Sequence, residues 1–167
     1  LIATLQDKRA GLTSVGGGDV PLLIKLAPDL DQKSRTDIAA VAIKCKVDGL
    51  LLSNTTLERP TSLIGKNRTE SGGLRGQPLF KRSTEILADM YKRVNGEITL
   101  IGIGGVASGE DAYKKIRAGA SVIQLYTALV YKGPGLIEEI KSTLSACLTR
   151  DGLSNITSAI GVDSSTY

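Results

Sequence analysis

Apolar runs and amphipathic stretches alternate along this 167-residue chain. Four runs, Leu22–Ala27, Gly49–Asn54, Ile98–Ile103 and Ser121–Leu129, are mainly apolar and continuous rather than alternating. Such runs predict strands buried on both faces of a parallel sheet. Helical periodicity fills the gaps. Ser34–Val47 places Ile38, Val41, Ala42 and Cys45 on one face, and Pro78–Val94 does the same with Ile86, Leu87, Met90 and Val94. Ser108–Ala118 opens on Ser108 with Asp111 three residues on, a capping pattern, and stops at Gly119. After Pro134, at a position suited to a first helical turn, Leu136, Ile137, Ile140, Leu144 and Cys147 mark a last helical face.

A strand followed by a helix, four times over, predicts an α/β fold with right-handed parallel crossovers. Residues 1–20 read as the end of an incoming helix and a linker, Leu12–Asp19 being its Gly-rich part. The segment Thr55–Gln77 is polar and too long for a routine connection, which marks it as a binding loop or lid. Four such units fit an open sheet or half of a (β/α)8 barrel, since closure takes eight strands and about 250 residues.

The sharpest turn is GIGGVA, Gly102–Ala107, between a strand and a helix. It meets the loose pattern of a dinucleotide-binding turn, whose usual partner is an acid at the end of the next strand. That strand ends in Gln124, Leu125, Tyr126 and Thr127, with no acid. The better reading pairs two loops, Gly104–Gly105 and Tyr126–Thr127, as a barrel phosphate site after the last two strands. The competing reading is a tight turn without a ligand. On the phosphate reading, a side chain at Gly105 blocks the anion while sparing the strand and the helix start. Lys25 lies inside an apolar strand, where an ammonium is costly unless it serves a site or pairs with a carboxylate such as Asp29. "GLLLSNTT" ends another apolar strand in Ser53, Asn54, Thr55 and Thr56, at the edge where barrels carry site residues.

Composition narrows the chemistry. The chain has no histidine, so His-based triads, metal sites and general bases are excluded within it. A net charge of +4 is spread along the chain with one Phe and no Trp, which suits an anionic small molecule better than nucleic acid. Cys45 and Cys147 fall in helical stretches and are expected buried and reduced, which favours a non-secreted protein. No run of eighteen apolar residues is present. The chain starts at Leu1 without a signal or transit pattern, as expected of part of a longer protein.

"IKLAPDL", "DGLLLSNTT", "ESGGLRGQPL", "IGIGGVASGEDAYKKIRAGASVIQLYTAL" and "KGPGLIEEIK" together resemble dihydroorotate dehydrogenase, over about Leu22 to Asp163. The wording is most similar to the membrane-associated, quinone-reducing class 2. The resemblance implies a (β/α)8 barrel with FMN at the carboxyl ends of its strands, this chain being strands 5 to 8. It implies oxidation of dihydroorotate to orotate with a quinone acceptor, in pyrimidine biosynthesis, without a metal. By position, Lys25 resembles the lysine that contacts the flavin, and Ser53 stands where the family often carries Thr. Asn54 and Thr55 resemble the residues that hydrogen-bond the orotate ring. Gly76, Gly105 and the adjoining Gly104 match glycines whose backbone meets FMN, and Tyr126 and Thr127 match phosphate contacts. The general base that the resemblance implies, a Ser or Cys on the loop after strand 4, is expected upstream of Leu1, as are the helices of the quinone tunnel and membrane anchor. Residues 1–167 alone are therefore expected to be inactive. The tail "GLSNITSAIGVD" points to mitochondrial inner-membrane members, the bacterial cytoplasmic membrane being the alternative.

Overall fold

The computed structural model describes residues 1–14 and 20–167. Four strands, β1 (Leu23–Leu26), β2 (Gly49–Leu52), β3 (Thr99–Ile103) and β4 (Val122–Gln124), form one parallel sheet in the order β1-β2-β3-β4. Six helices accompany it: α1 (Ile2–Ser14), α2 (Gln32–Lys44), α3 (Phe80–Val94), α4 (Gly109–Arg117), α5 (Thr127–Lys132) and α6 (Gly135–Arg150). Lys25 pairs with Leu51, Leu51 with Ile101 and Ile101 with Val122, so the four carboxyl ends emerge side by side.

The core lies between the sheet and α2–α3. Leu50 and Leu52 of β2, Leu100 of β3, and Ile86, Leu87, Met90 and Val94 of α3 fill it, with Ile2 of α1 packed at its margin. A second cluster joins Val106 and Ala112 to Leu136 and Ile140, seating α6 beside α4. Local sequence sets the helix ends. Ser108 Oγ accepts from Asp111 N at 3.1 Å, and Asp111 Oδ2 accepts from Ala107 N at 3.0 Å. That reciprocal capping satisfies donors the helix cannot, and puts acid charge at its positive end. Asn95 ends α3 in the left-handed region at φ 45°.

The expected strands differ from the sheet in two ways. Burial on both faces holds for β2 and β3 but not for the outer strands, where Leu23 is 43% and Val122 51% exposed. Ser121–Leu129 is not one strand: β4 stops at Gln124 and Thr127 begins α5. Ala128 and Leu129 stay apolar because α5 packs on the Val106–Leu136 cluster, and an apolar run does not distinguish strand from helix. Of the expected linker, residues 12–14 belong to α1 and residues 15–19 lie outside the described residues. Both cysteines are free; Cys147 is buried, whereas Cys45, at the end of α2, is half-buried. Ile137 and Val41, expected on buried faces, are exposed.

The tail packs back on the helices. Arg117 makes a two-pronged bond to Asp163, at 2.5 and 2.8 Å, and donates to Asp151 at 2.9 Å. Backbone bonds from Gly161 N to Ile116 O and from Asp163 N to Arg117 O continue the seam.

Candidate functional site at the carboxyl edge of the sheet

Lys25, Ser53, Asn54, Thr55, Gly76, Gly104, Gly105, Tyr126 and Thr127 all line a single cleft of about 360 Å³ at the carboxyl ends of the strands. Parallel register explains the convergence. Each loop leaves its strand at the same edge, so residues remote in sequence meet across neighbouring strand ends.

Lys25 faces away from the core that its neighbours Ile24 and Leu26 join, and is exposed toward the cleft. It makes no hydrogen bond or ion pair among the described residues. The alternative partner is engaged elsewhere: Asp29 accepts from the Thr56 hydroxyl and from Leu57 N at 2.9 Å. Asp29 therefore fastens the start of the long loop, and Lys25 is left to the cleft.

Ser53 is buried, its N–H donating to Ile103 O at 3.3 Å, while Asn54 N donates to Leu26 O at 2.8 Å. Both bonds extend the ladder past the strand ends and fix where Asn54 emerges. Asn54 Oδ1 accepts from Thr55 N at 2.9 Å, which directs Nδ2 to other partners. The loop beyond is closed at its base by paired bonds between Thr56 and Leu74, at 3.1 and 2.8 Å. Arg59 stitches it, donating to the carbonyls of Leu57 (3.1 Å), Glu70 (2.8 Å) and Gly72 (2.6 Å). One of three arginines in a polar loop, Arg59 gave no sequence signal for this clamp.

The turn after β3 places Gly104 at φ 97° and Gly105 at φ 77°, in the region that favours glycine. Its packing adds a constraint at Gly105 from α3, a helix other than the one that follows the turn. A Cβ there would lie 2.5–2.6 Å from Cβ, Cα and N of Phe80, at the start of α3. Glycine is thus required by the close approach of two backbone segments, whatever fills the cleft, and a bulky residue there disturbs a helix start. Gly76 (φ 80°) is roomier, a Cβ meeting only Thr127 Cγ2 at 3.4 Å.

The backbone N–H groups of Gly104, Gly105 and Tyr126 have no protein acceptor among the described residues. Unpaired donors beside glycines at a cleft form a cradle for an anion. Two cations line the same cleft, Lys25 and Arg75. Sequence reading overlooked Arg75, the one cation of the loop motif "ESGGLRGQPL". The donor set fits a phosphorylated cofactor such as FMN: amide donors and hydroxyls for the phosphate, and fixed positive charge for the ring.

Residues 2–148 match the family model of dihydroorotate dehydrogenase. The chain belongs to the dihydroorotate dehydrogenase family. It is 52% identical over 164 residues to the mitochondrial dihydroorotate dehydrogenase (quinone) of Arabidopsis thaliana, covering 98% of this chain and 36% of that protein. To the dihydroorotate dehydrogenase (quinone) of Xanthobacter autotrophicus it is 52% identical over 143 residues, 86% of this chain and 40% of the other. A crystal structure of DHODH from Eimeria tenella in complex with ferulenol superposes with a TM-score of 0.90 at 40% identity, over 97% of this chain and 46% of that one. The chain thus spans less than half the length of these relatives, and its four strands match part of their barrel.

Proposed function

We propose that this chain is the second half of an FMN-dependent dihydroorotate dehydrogenase that oxidises dihydroorotate to orotate and passes the electrons to a quinone. The observation that carries the reading is the convergence of Lys25, Asn54–Thr55, the glycine turn and Tyr126–Thr127 on one cleft. Bound FMN supplies the redox chemistry, accepting the electrons of the C–H bond that is broken. The chain's own residues bind, orient and stabilise.

The N–H groups of Gly104, Gly105 and Tyr126 hold the phosphate, with Gly76 letting the loop backbone approach. Lys25 provides fixed positive charge where negative charge develops on the ring system, in a setting that later loops shield from water. Asn54, its Oδ1 tied to Thr55 N, offers Nδ2 to a substrate carbonyl. The loop clamped by Arg59 excludes water over the substrate. The proton abstracted beside the oxidised carbon goes to a base outside these residues. Similarity to mitochondrial and bacterial enzymes named for quinone supports the reading of a quinone acceptor and an inner-membrane location. No helix among the described residues is long and apolar enough to cross a membrane.

The test is the full-length protein. It should purify with flavin absorbance bands, release FMN on denaturation, and reduce a soluble quinone only when dihydroorotate is supplied. A folded full-length protein with no flavin and no affinity for added FMN overturns the reading.

A further inference from the structure

Beneath the glycine turn, away from the cleft, lies Lys115 of α4, a lysine 0% exposed. Its Nζ donates to Ser83 Oγ at 2.6 Å and sits 5.1 Å from the centre of the Phe80 ring. No carboxylate lies within ion-pair distance of it among the described residues. Both groups support the turn. Ser83 Oγ lies 3.0 Å from the carbonyl oxygens of Gly104 and Phe80 and donates its single proton there. Phe80 supplies the backbone against which Gly105 packs. A buried ammonium is costly to keep, and a methionine would fill the same space without that cost. Its position, one hydroxyl away from the turn, gives it a use.

We propose that Lys115 is a positioning cation for the phosphate turn. Through Ser83 it fixes the Gly104 carbonyl, so that the neighbouring N–H groups point at the anion, and it carries its proton when a phosphate occupies the turn. The inference rests on the reading that the cleft binds FMN. Burial pushes the ammonium down to about 7, opposed by the charge of Asp111 one turn earlier. Asp111 is itself engaged by Ala107 N, α3 presents Phe80 and Ser83, and the β3–α4 turn presents backbone. Without the anion, Lys115 loses its proton as the pH rises through 7. A bound phosphate favours the charged form, so FMN binding above pH 7 takes up a proton, and affinity falls as the pH rises.

The experiment titrates FMN into the full-length apoprotein and into Lys115→Met between pH 7 and 9, with circular dichroism melts of the same samples. Wild-type affinity should fall by up to tenfold per pH unit over part of that range. Lys115→Met should bind FMN at least about tenfold more weakly at pH 7, with a flat profile, and melt no lower than wild type. A variant with the wild-type affinity and pH profile overturns the proposal, as does one that loses thermal stability alone. A second measurement needs no variant. Calorimetry of FMN binding to the wild-type apoprotein at pH 8, in two buffers of different ionisation enthalpy, should show proton uptake of up to one per FMN. Zero uptake overturns the role of Lys115 while leaving the cofactor assignment intact, whereas absence of FMN binding removes the cofactor assignment first.

Discussion

Gly105 and Gly76 have similar positive φ but very different surroundings, and alanine at each separates backbone strain from collision. Both substitutions put a side chain in a region L-residues avoid, at a cost of about 1–2 kcal/mol. At Gly76 little else is added, because the nearest atom to the new Cβ is a threonine methyl at 3.4 Å. At Gly105 the new Cβ meets backbone and Cβ atoms of Phe80 at 2.5–2.6 Å, and helix backbone cannot rotate away as a side-chain tip can. Relief requires moving the first turn of α3, which also carries Ser83, Thr84 and the buried Ile86–Leu87 pair. Overpacking of that kind costs roughly a further 1–3 kcal/mol. Gly105→Ala should therefore destabilise the full-length apoprotein by about 3 kcal/mol, and Gly76→Ala by about half as much.

Thermal melts of the apoproteins, followed by circular dichroism, read the difference. At about 2–4 °C per kcal/mol for a domain of this size class, Gly105→Ala should melt at least about 6 °C below wild type. FMN titration of the same samples reads the site. Gly76→Ala should lose about ten- to hundredfold in affinity, the equivalent of one charge-assisted hydrogen bond at about 1.5–3 kcal/mol. Were the two alanine variants to melt within about 2 °C of each other, the close packing of the turn on α3 would be refuted.

Lys25→Ala should slow flavin reduction by dihydroorotate at least about a hundredfold in stopped flow or lose FMN, and Lys25→Arg should rescue poorly, because a planar fork does not replace a compact charge. Asn54→Ala should raise the KM for dihydroorotate by about tenfold or more at near-normal FMN content, checked by steady-state kinetics and flavin absorbance. The Arg117 seam should make stability acid-labile: hydrogen bonds from Arg117 hold the Asp163 carboxyl below its usual range, and Arg150, then Tyr113, do so for Asp151. A depressed folded value stabilises above the unfolded value of about 3.9 and is lost as pH falls below it, so Arg117→Met should flatten the fall in melting temperature between roughly pH 5 and 2.

What the sequence revealed was local or periodic. The Ser108–Asp111 cap is visible because both partners lie within one turn, and α3 because Ile86, Leu87, Met90 and Val94 repeat with the helix. The cleft residues stand out because polar groups interrupt apolar runs at strand ends, as in Leu52–Ser53–Asn54. What stayed hidden depends on distant partners. Asp29 sits four residues from Lys25, yet it binds Thr56 and Leu57, 27 and 28 residues on. Lys115 reads as one more charge in "YKKIR" until α3 brings Ser83 against it. The break at Tyr126 is unreadable because α5 and β4 are both apolar, for different neighbours.

The order of the sheet explains why half a barrel carries so much of one site. β3 and β4 are direct neighbours, with Ile103 opposite Gln124, so the residues following each, Gly104–Gly105 and Leu125–Tyr126, leave the sheet side by side. The amide donors of the two loops therefore converge without any long-range adjustment. β2 extends the same edge, since Ser53 N bonds to Ile103 O and Asn54 N to Leu26 O, which aligns the substrate-side residues with the turn on one flank and with β1 on the other. A slip of β4 by one residue would turn Gln124 into the helix layer and Ile123 into the cleft. The bond from Ser121 N to Leu100 O fixes β4 before its first paired residue, and α4 holds it from behind. Because α4 also carries Lys115, the helix that backs β4 is also the one that supports the glycine turn from below. Changes in α4 packing should consequently reach FMN affinity before they reach the remote Lys25 and Asn54 side of the cleft.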